Sequence, residues 1–246
     1  MGDSVTRRSL LLSMAAALDP WPISWIALDL ATGAQSGMWS KAENPIGMGS
    51  LLKPFVALGY YLTHTAYPVL RCAGARSGCW YAAGHGEQHF VEALANSCNT
   101  YFLALSSAVD RSALETVCLK YGLQTPRVST DARSLIGLAE GWPQSPVEVA
   151  RAFRRLALNR SEADVQGVLA GMARCAACGT ARAVGFSCYA KTGTAACSHT
   201  PSGSGDGFAV AIYPQDQPRR VLLVEHHNVP GAVAARDVRP LLAATI

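Results

Sequence analysis

The chain has 246 residues, half of them hydrophobic and 15% charged, and carries a net charge of +4. That length supports a full buried core, and the composition excludes a disordered chain. Lysines and arginines are scattered without a basic run, which sets nucleic acid aside as a partner, and no apolar stretch reaches the roughly 18 residues of a membrane-spanning helix.

The first 18 residues contain "TRRSLLLSMAAAL". This reads either as an export signal, with arginines ahead of a short apolar run, or as an amphipathic first helix capped by Asp3 or Ser4. Next, "ISWIALDLATGAQSGMWS" predicts a β-hairpin turning at Thr32-Gly33. In "NPIGMGSLLKPFVALGYYL", Gly47 and Gly49 give a flexible approach to a helix that begins at Ser50. Pro54 is tolerated there because it falls close to the first turn. Residues 64–90 are rich in Gly, Cys, Tyr and His and read as irregular. "HFVEALANSCNTYFLALSSAV" is an apolar helical stretch interrupted by Ser97-Cys98-Asn99, and Arg111 to Arg182 reads as several short helices. Three strand-like runs follow, "FSCYAKTGTAAC", "DGFAVAIYP" and "RRVLLVEHH", ahead of a helical tail. The predicted plan is a sheet built from both chain ends with a helical lobe inserted between them. It forms one domain over residues 1–246, with the sheet from about 20–45 and 183–246 and the lobe from about 60–180.

Eight cysteines are many for a cytosolic enzyme, and two pairs are close in sequence, Cys72 with Cys79 and Cys175 with Cys178. In an oxidising compartment these would close small-loop disulfides; otherwise they are buried thiols. Cys175-Ala-Ala-Cys178 also has the form of a redox pair or half a zinc site. No second C-x-x-C exists, and Gly179 stands where haem attachment needs histidine. No cofactor or metal is expected.

Five polar residues stand in apolar settings. Ser50 and Lys53 are three apart and share one helical face. A lysine so placed can serve as the serine's base if burial and nearby positive charge lower its pKa, and a helix N-terminus offers a backbone N–H to developing negative charge. Alone, such a pair is common on exposed helix faces. Ser97 and Asn99 need partners inside their apolar stretch, which helix-satisfying hydrogen bonds could supply. Lys191, in "YAKTGTAAC", could simply guard an edge strand.

Their order along the chain carries more information than any one of them. Ser50-Leu-Leu-Lys53, Ser97-Cys-Asn99 and Lys191-Thr-Gly193 resemble S-x-x-K, S-x-N and K-T-G, the signature set of penicillin-binding proteins and serine β-lactamases. The likeness extends over roughly residues 22–240, through "GHGEQHFVEALANSCNTYF", "GLAEGWPQSPVEVARAFRRLA" and "GFAVAIYPQDQPRRVLLVEHHNVPG", and is nearest to class B penicillin-binding proteins. The resemblance implies an α+β fold: a central antiparallel sheet flanked by helices on both faces, plus an all-helical lobe, with the cleft between them. It implies a serine-type D,D-transpeptidase or D,D-peptidase acting on D-Ala-D-Ala stem peptides of peptidoglycan, inhibited by β-lactams and located on the periplasmic or extracytoplasmic side, with a cell-wall synthesis protein as a possible partner. Ser50, Lys53, Ser97 and Lys191 would be catalytic, with Lys191 keeping Lys53 neutral and relaying a proton through Ser97. Asn99, Thr192, Gly193 and Thr194 would bind substrate: the threonines its carboxylate, Asn99 its side-chain amide, and Gly193 its backbone by close approach. Backbone N–H groups of Ser50 and Thr194 would form the oxyanion hole.

Two departures bear on this reading. Cys98 stands where β-lactamases often have aspartate. No glutamate after Asn99 has an asparagine four residues on, as the deacylating glutamate of class A β-lactamases does; Asp110, Glu115, Asp131, Glu140, Glu148, Glu162 and Asp164 read as surface or cap charges. The alternatives are a β-lactam-sensing module without turnover, or a class D-type β-lactamase with a carbamylated lysine.

Overall fold

A computed structural model describes residues 23–197 and 203–244. The two readings of residues 1–18 lie outside the described residues.

β1 (Ile23–Asp29) and β2 (Gln35–Met38) form the expected hairpin. Its turn is fixed by the Asp29 carboxylate, which accepts from the Thr32 backbone N–H at 2.8 Å and the Thr32 hydroxyl at 2.9 Å. A 3-10 turn over Gly49–Leu52 leads into α1 (Lys53–Tyr61). Residues 64–90, expected to be irregular, contain a two-stranded ribbon of β3 (Leu70–Cys72) and β4 (Gly86–Gln88). Strands of three residues are too short for alternation to show in sequence.

α2 (Phe90–Ala95) and α3 (Asn99–Ala108) follow, separated at the polar triplet. Then come α4 (Arg111–Tyr121), α5 (Ala132–Leu135), α6 (Pro146–Leu158) and α7 (Ala163–Cys178). Several acidic residues seen in the sequence start these helices. Asp110 caps α4, accepting from the Ala113 N–H at 3.0 Å, and Asp131 caps α5, accepting from the Ser134 N–H at 2.7 Å. Ser145 and Glu148 form a capping box on α6, while Glu162, at the N-cap of α7, pairs with Lys120.

The chain returns to the sheet with β5 (Tyr189–Ala195), β6 (Asp206–Tyr213) and β7 (Arg220–His226), then ends in α8 (Gly231–Ala234) and α9 (Val238–Ala244). The strand order is β2-β1-β7-β6-β5, antiparallel throughout, and Ile26 of β1 lies opposite Leu223 of β7. Alternating residues serve two cores. Ile26, Phe208, Val210 and Leu223 face the helices of the lobe and α6, whereas Ala27, Ala209, Ala211 and Val224 face Cys175 of α7 and Val238 and Leu242 of α9. The fold is therefore α+β, an antiparallel sheet with helices on both faces and a helical lobe. Among the described residues no helix is long and apolar enough to cross a membrane.

α1 is the central helix of the lobe, with every residue from Lys53 to Tyr60 buried. Phe55 packs edge-on against Phe153 of α6 at 5.2 Å between ring centroids, and against Tyr121 of α4 at 5.5 Å. A helix apolar on every side has to be enclosed, and so a lysine at its first residue is enclosed with it.

No disulfide joins Cys72 with Cys79 or Cys175 with Cys178 in this structure. Cys175 and Cys178 lie one turn apart on α7 in different surroundings. Cys175 is buried beside the Thr180 hydroxyl at 3.3 Å; Cys178 is exposed, its sulfur on the Arg174 carbonyl at 3.6 Å. Cys72 and Cys79 both turn toward His85, at 3.6 and 3.5 Å from its Nδ1.

Two glycines bring the 3-10 turn onto β5. Gly49 has φ +55°, and a Cβ there would stand 2.4 Å from the Thr194 carbonyl oxygen. A Cβ at Gly193 would stand 2.6 Å from the Met48 carbonyl oxygen. On the side where a Cβ of Gly193 would be, the space is filled by the turn that carries Ser50. Gly49→Ala adds a left-handed strain of about 1–3 kcal/mol to this backbone collision. Urea unfolding of the variant should show a stability loss of at least that size with an unchanged m-value.

Candidate active site

The turn Gly49–Leu52 and the first residue of α1 hold Ser50 and Lys53 in succession. The 3-10 geometry stacks positions three apart, so both side chains emerge on one side. Ser50 is half-buried; Lys53 is fully buried.

The second group comes from the break between α2 and α3. Ser97 takes φ +50°, a left-handed conformation uncommon for serine, and Cys98 is extended at the N-cap of α3. This bend directs the Ser97 carbonyl and hydroxyl and the Asn99 side chain at one point. Lys53 Nζ occupies it, donating to Ser97 O at 2.9 Å and Asn99 Oδ1 at 2.7 Å, and lying 3.3 Å from Ser97 Oγ. None of these three bonds goes to Ser50. The Phe102 ring, 5.4 Å from Nζ, closes the pocket below.

The third group comes from β5. Lys191 is fully buried and donates to Ser97 Oγ at 2.9 Å and to the Thr192 carbonyl at 2.7 Å. β5 is the edge of its sheet, yet Lys191 points inward, so it does not guard the edge. The chain has four lysines, and these two meet on one serine hydroxyl. Burial pushes Lys53 well below the usual lysine range, and the neighbouring Lys191 pushes it further; nearby Cys98 and Cys79 oppose the shift. Burial also lowers Lys191, to about 8, opposed by Cys175.

A neutral amine donates two hydrogen bonds and keeps one lone pair. The two carbonyl-type oxygens on Lys53, Ser97 O and Asn99 Oδ1, can only accept. Ser97 Oγ can donate, and it accepts from Lys191 in turn. The set is satisfied when Lys191 donates to Ser97 Oγ and the Ser97 hydroxyl donates to Lys53, a two-bond path for a proton.

Ser50, Ser97, Asn99, Thr192, Gly193 and Thr194 all line one cavity of about 310 Å³. Thr192 is buried and its hydroxyl donates to Thr180 Oγ1 at 2.6 Å. Thr194 is exposed; its hydroxyl accepts from the Gly231 N–H at 3.0 Å and keeps its own proton to give. Trp80, Leu138, Thr180, Pro230 and Ala232 complete the lining. None of these five is singled out by sequence. Trp80 is an exposed aromatic whose indole donates to the Asn96 carbonyl at 3.1 Å, and its class of signal, a lone tryptophan in a Gly-rich stretch, marks no role. Among the described residues no carboxylate lines the cavity.

The penicillin binding protein transpeptidase domain family matches residues 25–243. The chain belongs to that family. No curated protein matches the sequence. Among solved structures, Pseudomonas aeruginosa PBP2 in complex with WCK 5153 is similar at 18% identity and a TM-score of 0.76, over 97% of this chain and 74% of that one. Helicobacter pylori PBP2, solved with MreC, is similar at 14% identity and a TM-score of 0.75, over 97% of this chain and 63% of that one. Mycobacterium tuberculosis penicillin-binding protein A, as a ceftriaxone acyl-enzyme complex, is similar at 15% identity and a TM-score of 0.73, over 91% of this chain and 74% of that one. At these identities the likeness concerns the fold. All three are penicillin-binding proteins, and their shared architecture agrees with the family match.

The two buried lysines of this transpeptidase domain can be read directly. In protein labelled with ¹³C at lysine Cε, the Lys191 signal should titrate with a midpoint near 8, and Lys53 should titrate well below the ordinary lysine range. Ser97→Ala, which removes the oxygen between them, should move both midpoints.

Proposed function

We propose that this protein is an acyl-serine D,D-transpeptidase or D,D-peptidase acting on the D-Ala-D-Ala stem peptides of peptidoglycan, and that β-lactams inhibit it by acylating Ser50. One observation carries the reading: two buried lysines share the hydroxyl of Ser97, beside a serine that opens on a cavity lined by no carboxylate among the described residues.

In this reading Ser50 Oγ attacks the carbonyl carbon of the penultimate D-alanine and its proton passes to neutral Lys53 Nζ. Backbone N–H groups of Ser50 and Thr194 receive the developing oxyanion. Collapse breaks the C–N bond, and the leaving nitrogen takes the proton returned through Ser97. An amine then attacks the acyl-enzyme in a transpeptidase, or water in a peptidase. Lys191 supplies positive charge and Thr194 a hydroxyl for the terminal carboxylate, with Thr192 beside them. Asn99 has its oxygen on Lys53, so its amide NH₂ is the group left for the substrate.

The lining also supports slow deacylation. Water needs an activating base, and Asp110, Asp131 and Glu148 are engaged at helix N-termini and Glu162 by Lys120. The class D route needs an apolar surround for a carbamylated lysine, whereas three oxygens surround Lys53 Nζ. Stem-peptide chemistry belongs to the extracytoplasmic side of the membrane. The Helicobacter neighbour's complex with MreC supports a cell-wall synthesis protein as partner.

Intact-mass measurement after penicillin treatment should show one acyl adduct on the protein and none on Ser50→Ala; labelling of that variant at the same site would overturn the assignment. Lys53→Arg keeps the charge but cannot deprotonate, and should acylate roughly 10²-fold slower or worse. Fluorescent penicillin chased with unlabelled drug should persist for many minutes, whereas loss within seconds with accumulating penicilloate would make the protein a β-lactamase. Release of D-alanine from a synthetic stem peptide separates an enzyme from a non-turnover sensing module.

The pH profile of acylation follows from the two lysines. The rate should fall on the acid side as Lys53 takes up a proton and loses its lone pair. It should fall on the alkaline side near pH 8, where Lys191 loses the charge that draws the carboxylate. Lys191→Arg should extend the alkaline limb upward, because a guanidinium stays charged there.

A further inference from the structure

The second motif contains a residue that the reaction does not use. Cys98 lies between Ser97 and Asn99, is fully buried, and places its sulfur in a cluster with three other side chains. Cys72 at the end of β3, Cys79 after the 3-10 turn Gly74–Ser77, and His85 just before β4 make up the rest. The four ligand atoms all lie within 4.8 Å of one another. Cys72 Sγ is 3.6 Å and Cys79 Sγ is 3.5 Å from His85 Nδ1, and Cys79 Sγ is 4.0 Å from Cys98 Sγ.

Hydrogen bonding is a poor reason for this arrangement. Three thiols are weak donors and weak acceptors, and a neutral imidazole brings one strong acceptor to share among them. A tetrahedral metal is a good reason. With metal–sulfur bonds of about 2.3 Å and a metal–nitrogen bond of about 2.0–2.1 Å, tetrahedral geometry sets sulfurs about 3.8 Å apart and sulfur from nitrogen about 3.6 Å apart. The two sulfur–nitrogen distances and the Cys79–Cys98 sulfur distance match these values. The surroundings also suit thiolates. Cys72 Sγ lies 3.4 Å from the Thr100 hydroxyl, which is itself fixed by donating to the Ser77 carbonyl at 3.0 Å. The rings of Trp80 and Tyr81 cover His85, with centroids 5.6 and 5.1 Å away.

We infer that Cys72, Cys79, His85 and Cys98 bind a structural zinc ion that anchors the second motif of the active site. Three soft thiolates and an imidazole select zinc over the hard oxygen-seeking cations. Four protein ligands close the coordination sphere, which marks a structural rather than a catalytic site. The sequence reading set zinc aside for want of a second C-x-x-C; the ligands come instead from a ribbon, a turn and a helix cap, where no spacing rule applies. The ion would clamp the peptide next to the strained Ser97 and, through the 72–85 loop, position Trp80 on the cavity wall.

The test reads metal rather than acylation, so it stands apart from the proposed reaction. Protein prepared with zinc and without chelator should carry one zinc per chain by elemental mass spectrometry. Its zinc-edge absorption should fit three sulfurs at about 2.3 Å and one nitrogen at about 2.0–2.1 Å. Cys79→Ser and His85→Ala should lose the metal or lower its affinity at least 10-fold, and Cys178→Ser should retain it. Should those variants misfold, the wild-type spectrum still decides. Thiol titration in denaturant with EDTA should then count all eight cysteines. Absence of zinc, zinc in a shell without sulfur, unchanged binding in both ligand variants, or a pair of thiols missing to a disulfide would each overturn the inference.

Discussion

Two buried lysine side chains meet on one serine hydroxyl, and among the described residues neither has a carboxylate partner. Few arrangements cost a fold more, because an enclosed ammonium without a counterion gives up its hydration for nothing comparable. The protein resolves this in two ways. It supplies oxygens: the carbonyls of Ser97 and Thr192, the Asn99 amide and the shared Ser97 hydroxyl. It also lets the charge go, since burial moves both amines toward the neutral form and the neighbouring Lys191 pushes Lys53 further.

Much of the local architecture follows from supplying those oxygens. A continuous helix through residues 90–108 would bond the Ser97 carbonyl to its own backbone. The left-handed turn at Ser97 breaks that ladder and frees the carbonyl for Lys53. The 3-10 turn before α1 brings Lys53 in from one side, and β5 brings Lys191 from the other. These two elements come close enough only because Gly49 and Gly193 lack side chains. A strained turn of this kind persists only where its surroundings hold it. Here the Lys53 bonds hold it on one side, and the Cys98 cluster holds it on the other. The proposed reaction and the inferred metal site thus meet in three consecutive residues.

The cavity has a division of labour that residue types alone would not suggest. Of the two threonines flanking Gly193, one is turned inward to Thr180 and the other lies exposed against Gly231. They are two apart on a strand and point to the same face, yet one gives its proton to the protein and the other keeps it. Trp80 adds to the lining, and its position depends on the loop that carries Cys72, Cys79 and His85.

Sequence alone determined the sheet and its chain-end assembly. Runs such as "DGFAVAIYP" and "RRVLLVEHH" alternate or stay apolar over a full strand length, and local periodicity is what a sequence records best. It also marked Ser50, Lys53, Ser97, Asn99 and Lys191 as polar residues misplaced in apolar settings, and their order along the chain tied them together. Tertiary structure alone decided that Lys53 bonds to Ser97 and Asn99 rather than to Ser50, that Gly193 accommodates a turn, and that Cys175 and Cys178 stay apart. It also gathered Cys72, Cys79, His85 and Cys98, and added Trp80 and Thr180 to the cavity. Each of these is a contact between segments distant in sequence or a direction set by backbone geometry. Such contacts leave no period in the chain, because the distance that creates them exists only after the sheet has closed and the lobe has packed against it.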